Sequence, residues 1–432
     1  FSIAPAIEVG GHITEDTTWS PDNNPYHVID DVFVDEGVTL NILPGTIVKF
    51  NAALLASYQD MDNFVYYNGA NIAKMLQVDG KLIADGTEEE PITFTRIQDS
   101  LYYHWGIIYL TEFADKCIFR YCHFEYSAYL LIVLGIIPCG AVSIYNEEAI
   151  IEHCTFVDNF TGVFLQFFPQ RIIIKDNYFF NIDNISPTYP GYHVKGGINI
   201  AAAASGQFNP ILIAGNIFNE SDVSYFYLDV FNTPVYVVDN QFFEGGIDAD
   251  MDSEIASYFY INNFINCDKG IDGNEPTDSL YIKKNNFINC SYGMEINYAY
   301  IEVSDNYIDG CDITTQYAAG KIWNNLIYNG EVWIPGDIEV YNNICSNHDG
   351  YGLKVGYNPY CVNNISINNA YDIWSATISY ENCIIIKNEE LTQYTINGNP
   401  IFRNCIIDFE LEYPLIDGGG NIWVDSLQAQ TL

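Results

Sequence analysis

The phrases YFYINNFINC at 258–267 and LYIKKNNFINC at 280–290 decide the fold, because each is an apolar run closing on asparagine and a large apolar residue, and many others match them. Earlier copies read IIIKDNYFF at 172–180, ILIAGNIF at 211–218 and VYVVDNQFF at 235–243, and IEVSDNYI follows at 301–308. Weaker copies continue as IWNNLI, VYNNIC, CVNNIS, ENCII and RNCII. The last asparagine of each copy marks Asn177, Asn216, Asn240, Asn263, Asn286, Asn306, Asn325, Asn343, Asn364, Asn382 and Asn404. Apart from one interval of 39, they are spaced by 18 to 24 residues. Such a period belongs to solenoids.

Each unit is rich in Ile, Val, Tyr and Phe, whose branched or aromatic side chains suit a pleated surface, and is broken by Gly, Asn and Asp, which tolerate turns. Neither a leucine-rich frame nor the three-and-four apolar spacing of helical repeats is present. The pattern predicts an all-β chain, a parallel β-helix whose coils stack about 4.8 Å apart. Equivalent residues then lie on one another, and the asparagines become an internal ladder of amides that donate to one coil and accept from the next.

On these residues the chain resembles the right-handed parallel β-helix repeat proteins, the superfold of pectate lyases, polygalacturonases and phage tailspikes, over roughly 75–410. The segment 11–50, followed by LQVDGKLIADGTEEEPITFT at 76–95, resembles the opening of secreted and cell-surface β-helix proteins, with Val34 to Val48 following their V-x-x-G-V-T-L-x-I-x-P-G-T-x-V phrase. The resemblance implies a right-handed solenoid with an N-terminal cap and first coils at 1–75, the β-helix at 76–410 and a tail or cap at 411–432, in one continuous domain. An uncapped end would offer edge strands to neighbours. Ala201–Ser205 with Gly206 reads as a loop or short helix inserted between coils, and the apolar run Tyr129–Ile137 as buried strand, too short to span a membrane.

Sixteen Lys and Arg stand against 56 Asp and Glu, a net charge of −40. Nucleic acid and anionic lipid are therefore poor partners. Enzymes acting on uronic acid polymers use cationic grooves to stabilise developing charge, and the four arginines here, Arg96, Arg120, Arg171 and Arg403, are scattered. The 34 tyrosines exceed what a narrow interior needs, and exposed tyrosine suits either sugar stacking or protein interfaces. Eleven cysteines include Cys154, Cys383 and Cys405 at ladder-like places; they read either as buried rungs or as disulfide partners in an oxidising compartment, with one left over. The chain begins at Phe1 without a signal segment, as a secreted protein does after cleavage, so an extracellular or cell-surface location is expected.

No polygalacturonase-like, G-x-S-x-G, P-loop or dinucleotide motif occurs, and the seven histidines share no catalytic or zinc spacing. His123 and His153, beside Cys122 and Cys154, read as coil neighbours. Asp248, Asp250, Asp252 and Glu254 alternate in GGIDADMDSE, so they either converge on a calcium ion or form a solvated acidic loop. Asp268, Asp272, Glu275 and Asp278 form a weaker second set. Sequons at Asn159, Asn184, Asn219, Asn289 and Asn364 are expected by chance in an Asn-rich chain, and Asn364 is expected to be buried. No cofactor beyond calcium is expected. Two functions follow. One is a non-enzymatic structural or adhesive protein, a self-assembling sheath or surface-layer-like subunit or an adhesin, whose partner is itself or a surface glycan. The alternative is a polysaccharide lyase or glycoside hydrolase, whose paired carboxylates on stacked coils would leave no motif.

Overall fold

The computed structural model describes residues 6–54, 73–100, 103–127, 140–145, 148–167, 171–180, 196–202, 211–219, 228–231, 234–250, 256–273, 279–348, 351–355, 360–369, 371–375, 379–387, 401–408, 416–417 and 419–423. The chain divides into two compact units, Phe1–Tyr236 and Val237–Leu432. Each is built of short parallel strands wound as coils of a β-helix, right-handed as such crossovers almost always are. Among the described pairings only Ala53–Leu54 with Tyr103–His104 runs antiparallel.

In the first unit the N-terminal segment already coils. Ile7–Ile13 pairs with Tyr26–Val34, and Thr17–Trp19 pairs with Thr39–Ile42, all in parallel. Gly37 and Gly45 take the left-handed backbone at φ 76° that closes the tight turns. Alternation along each strand sends one side inward, and stacking then places like on like. Phe94, Phe124, Phe156, Phe179 and Phe218 form a buried column with successive ring centroids 5.0, 4.8, 4.8 and 4.8 Å apart. Burying each ring contributes roughly 1.5–3 kcal/mol, which makes the column a principal source of stability. Ala201 and Ala202 end the strand Gly196–Ala202 rather than opening a helix; 203–206 and the run 129–137 lie outside the described residues.

The second unit shows one full coil plainly. Asn286–Ile288 lies in sheet I, Tyr292–Asn297 in sheet II and Tyr300–Ser304 in sheet III, and the next coil repeats them as Tyr307–Asp309, Asp312–Gln316 and Ala319–Trp323. Corner A joins sheet III to sheet I, corner B joins I to II, and corner C joins II to III. Corners A and B turn on one left-handed residue followed by one buried residue. At corner A the left-handed residue is Asp305, Asn324, Asn342 or Asn363 in successive coils, and the buried one is Asn306, Asn325, Asn343 or Asn364.

The buried asparagines form the ladder, but not all at the places that the repeat phrase marked. In the second unit the column runs Asn240, Asn262, Asn285, Asn306, Asn325, Asn343 and Asn364, each N–H and each side-chain amide donating to the next amide oxygen at 2.8 to 3.1 Å. Asn263 and Asn286 are instead the first residues of their sheet I strands and lie outside the core. Asn382 and Asn404 are left-handed corner residues at φ 52°, and Cys383 and Cys405 hold the buried places after them. In the first unit Asn177 and Asn216 are rungs, preceded by Cys154, whose N–H donates to Asn177 Oδ1 at 2.8 Å.

Corner B carries a second column: Cys267, Cys290, Cys311, Gly330, His348 and Asn369. The ten described cysteines are buried free thiols, so the disulfide reading gives way to the rung reading. Thiol contacts and burial push Cys267 and Cys311 well up, whereas hydrogen bonds from both hold Cys290, between them, down at about 4.

Candidate active site

Sheet II of the second unit departs from plain coil packing. Strand Asp312–Gln316 turns Ile313 and Thr315 inward, and Val332–Ile334 does the same with Val332 and Ile334. The intervening positions face outward in register: Asp248, Asp272, Glu295, Thr314, Trp333 and Lys354 form one row across successive coils. Asp312 starts its strand, and Glu331, directly before Val332–Ile334, is its neighbour on the following coil.

Corner B sets that second pair. A Cβ at Gly330 would stand 2.0 Å from the carbonyl oxygen of Cys311, so only glycine allows this corner to close on the coil beneath it. Closure brings the backbone N–H of Glu331 to 2.8 Å from Asp312 Oδ1. One coil on, His348 occupies the corner B column, where other coils put cysteine, glycine or asparagine. Its ring Nε2 stands 3.9 Å from Asp312 Oδ1, and its N–H donates to Asn369 Oδ1. The Lys354 ammonium lies 3.7 Å from Glu331 Oε1 and 4.5 Å from the centre of the Trp333 ring.

The electrostatics distinguish these carboxyls. Burial raises Glu331 above the ordinary carboxylate range, with Asp312 adding to the rise and Lys354 opposing it. The Glu331 side chain is 21% exposed and the Asp312 side chain 38%, so both can be reached from solvent. Along the row, Lys269 bridges Asp272 at 2.8 Å and Glu295 at 2.6 Å. Burial raises Asp272 despite this lysine, whereas burial lowers Lys269 less than its two carboxylate partners raise it. The result is a face with partly buried acids, lysines and one tryptophan: the elements of acid–base chemistry on a bound neutral ligand.

The first unit offers a contrasting cluster. His123 Nε2 is 2.8 Å from Glu125 Oε1, and its hydrogen bond holds Glu125 below the usual carboxylate range. Arg96 stacks on Tyr126 with its guanidinium 3.3 Å from the ring centre. Here the carboxylate is ionised and satisfied. His123 and His153 are not coil equivalents; Tyr121 is the residue that stacks on His153, at 4.8 Å, while His123 pairs with Thr155.

Of the acidic alternation read as either a calcium site or a solvated loop, Asp248 faces outward from sheet II beside Asp272, Asp250 ends its strand, and Asp252 and Glu254 lie outside the described residues. Asp272 of the second set is engaged by Lys269, and Glu275 and Asp278 also lie outside. No group of three or more His, Cys, Asp or Glu among the described residues is arranged to hold a metal ion. Sequence reasoning missed Asp312, Glu331, His348 and Lys354, because about one coil separates Asp312, Glu331 and His348 and no short motif contains them. Among the described residues no helix is long and apolar enough to cross a membrane.

No family model matches the chain, and no curated protein matches it. Among solved structures, the chain is similar to the GH136 lacto-N-biosidase from Eubacterium ramulus, at 11% identity and a TM-score of 0.29, over 90% of this chain and 62% of that one. The chain thus spans less than two thirds of that enzyme. It is also similar to a mannuronic acid specific polysaccharide family 6 lyase from human gut microbiota, at 11% identity and a TM-score of 0.31, over 97% of this chain and 93% of that one.

Proposed function

We propose that the chain is a polysaccharide-active enzyme, a glycoside hydrolase in which Glu331 is the proton donor and Asp312 its carboxylate partner. The observation that carries this reading is the Glu331–Asp312 pair, a carboxyl raised by burial beside a second, more exposed one on the preceding coil. Glycoside hydrolysis needs such a division of labour. Protonated Glu331 gives its proton to the leaving glycosidic oxygen as the C–O bond breaks. Asp312 supports the developing positive charge and takes a proton from the attacking water, or attacks the anomeric carbon itself, according to the separation in the complex. His348 and the Glu331 backbone N–H hold Asp312 in place, and Lys354 with Trp333 forms one wall. A net charge of −40 favours a neutral glycan over a uronate polymer. This places hydrolysis ahead of the self-assembling envelope subunit that composition favoured.

The test is release of reducing ends from xylan, mixed-linkage β-glucan, galactomannan and arabinogalactan. Wild-type protein is expected to release them from at least one, and Glu331→Gln to lose roughly 10²–10⁴-fold. No release from any substrate, or full activity in Glu331→Gln and Asp312→Asn, overturns the reading.

A further inference from the structure

Corner C of the second unit contains two tyrosines that the fold does not ask for. Tyr298 and Tyr317 are its left-handed residues, at φ 60° and 55°. A bulky side chain is disfavoured there, and most left-handed residues at corners A and B of this unit are Asn, Asp or Gly, which take the conformation at little cost. Core packing does not explain the choice, because the residues are 56% and 73% exposed. Their rings stack on each other at 5.0 Å with 12° between planes, an exposed aromatic plate two rings thick that offers its edges and outer faces.

The plate belongs to the same strands as the candidate carboxyls. Asp312 begins the strand and Tyr317 follows its end; between them Gln316 is half-buried and Thr314 is buried. Five residues of extended chain span roughly 17 Å. In the neighbouring coil Glu295 and Asn297 fill the matching places before Tyr298. The path from the carboxyls to the plate is therefore lined by amides and a carboxylate, groups that bond sugar hydroxyls, and it ends on an aromatic pair whose outer faces attract the polarised C–H bonds of a pyranose ring. A protein partner would be met by an apolar surround instead.

We infer that Tyr298 and Tyr317 form a stacking subsite for a neutral oligosaccharide long enough to reach from Glu331 and Asp312 to corner C. The inference rests on the hydrolase reading for its substrate class and specifies that the enzyme grips a chain of several sugars rather than a terminal residue alone.

The experiment is affinity gel electrophoresis of the full chain in xylan, mixed-linkage β-glucan, galactomannan and arabinogalactan, with melting temperature measured in parallel. At least one polysaccharide is expected to retard the wild type. Tyr298→Asn with Tyr317→Asn should weaken that retardation about tenfold and yet raise the melting temperature by roughly 2–4 °C, because asparagine relieves the left-handed strain. Tyr→Phe at both sites should retain binding. A merely structural role would not lower binding while raising stability. Retardation by none of the four, or equal retardation of wild type and the double Asn variant, overturns the inference. So does a dimer in sedimentation velocity that the Asn variant abolishes, since the plate would then seat a second copy of this chain. No release of reducing ends from any of the four, together with tyrosine-dependent retardation, would sink the hydrolase reading and leave the subsite standing.

Discussion

Corners A and B of the second unit make the same turn with different chemistry. At corner A, Asn285 accepts from the N–H and the amide of Asn262, donates to the carbonyl of Phe259 and donates onward to Asn306. At corner B, Cys290 receives no comparable set: its N–H finds the Cys311 sulfur at 3.0 Å, and its thiol reaches the carbonyl of Phe264 at 3.8 Å. An amide has enough donors and acceptors to satisfy two coils, whereas a thiol is a weak donor that fills space. Corner A therefore holds the coils in register. Corner B is held less tightly, and it is there that glycine and histidine enter the column and a site is built.

The largest effect is expected where the amide is removed. Asn285→Leu strands the Asn262 N–H and the Phe259 carbonyl, at roughly 1–3 kcal/mol each, read as a lower urea midpoint at unchanged slope. A loss as small as that of a surface variant would break the distinction between the corners. Asn285→Cys imports corner B chemistry into corner A, as Cys383 and Cys405 already do. It should cost about half as much, since Cys383 N–H still finds the Cys405 sulfur at 3.4 Å. Cys290→Ala tests the other column and should cost about 1 kcal/mol, a small packing loss with no strong hydrogen bond behind it. A cost equal to that of Asn285→Leu would show that thiol rungs carry register too.

Glu331 sharpens the comparison through pH. Its folded pKa is raised above 4.5, so the stability it contributes is present in full below that value and is lost as pH rises through the raised one. Glu331→Gln should therefore be slightly more stable than wild type at neutral pH and equal to it in acid, by thermal melts across pH. Hydrolysis should decline over the same rising interval. The smallest effect belongs to Asn286→Leu, beside the rung but outside the column, which should stay within about 0.5 kcal/mol of wild type.

That contrast between Asn285 and Asn286 also shows what could be read from sequence. The period and the strand chemistry revealed the coils, because like residues stack and stacking leaves a repeat. Choosing the last asparagine found the rung wherever a left-handed corner residue directly precedes it, as at Asn306 or Asn325. It failed where an outward asparagine starts the next strand, as at Asn263, or where the rung is a cysteine, as after Asn382. Counting two residues back from the inward side chain finds each rung: Asn262 from Phe264, Asn285 from Phe287, Cys383 from Ile385. The candidate site was not legible. Asp312, Glu331, His348 and Lys354 meet only because coils stack, and each alone is an ordinary surface residue.

The corner A ladder has one further consequence. Every asparagine rung presents the same oxygen to the coil before it and the same amide to the coil after it, so one asparagine rung fits above any other. A gene encoding such a chain can lose or duplicate a stretch of about one coil, and the remaining rungs meet again with no new chemistry to invent. Length is then a heritable variable separate from folding, and the outward residues of each added coil are free to diverge.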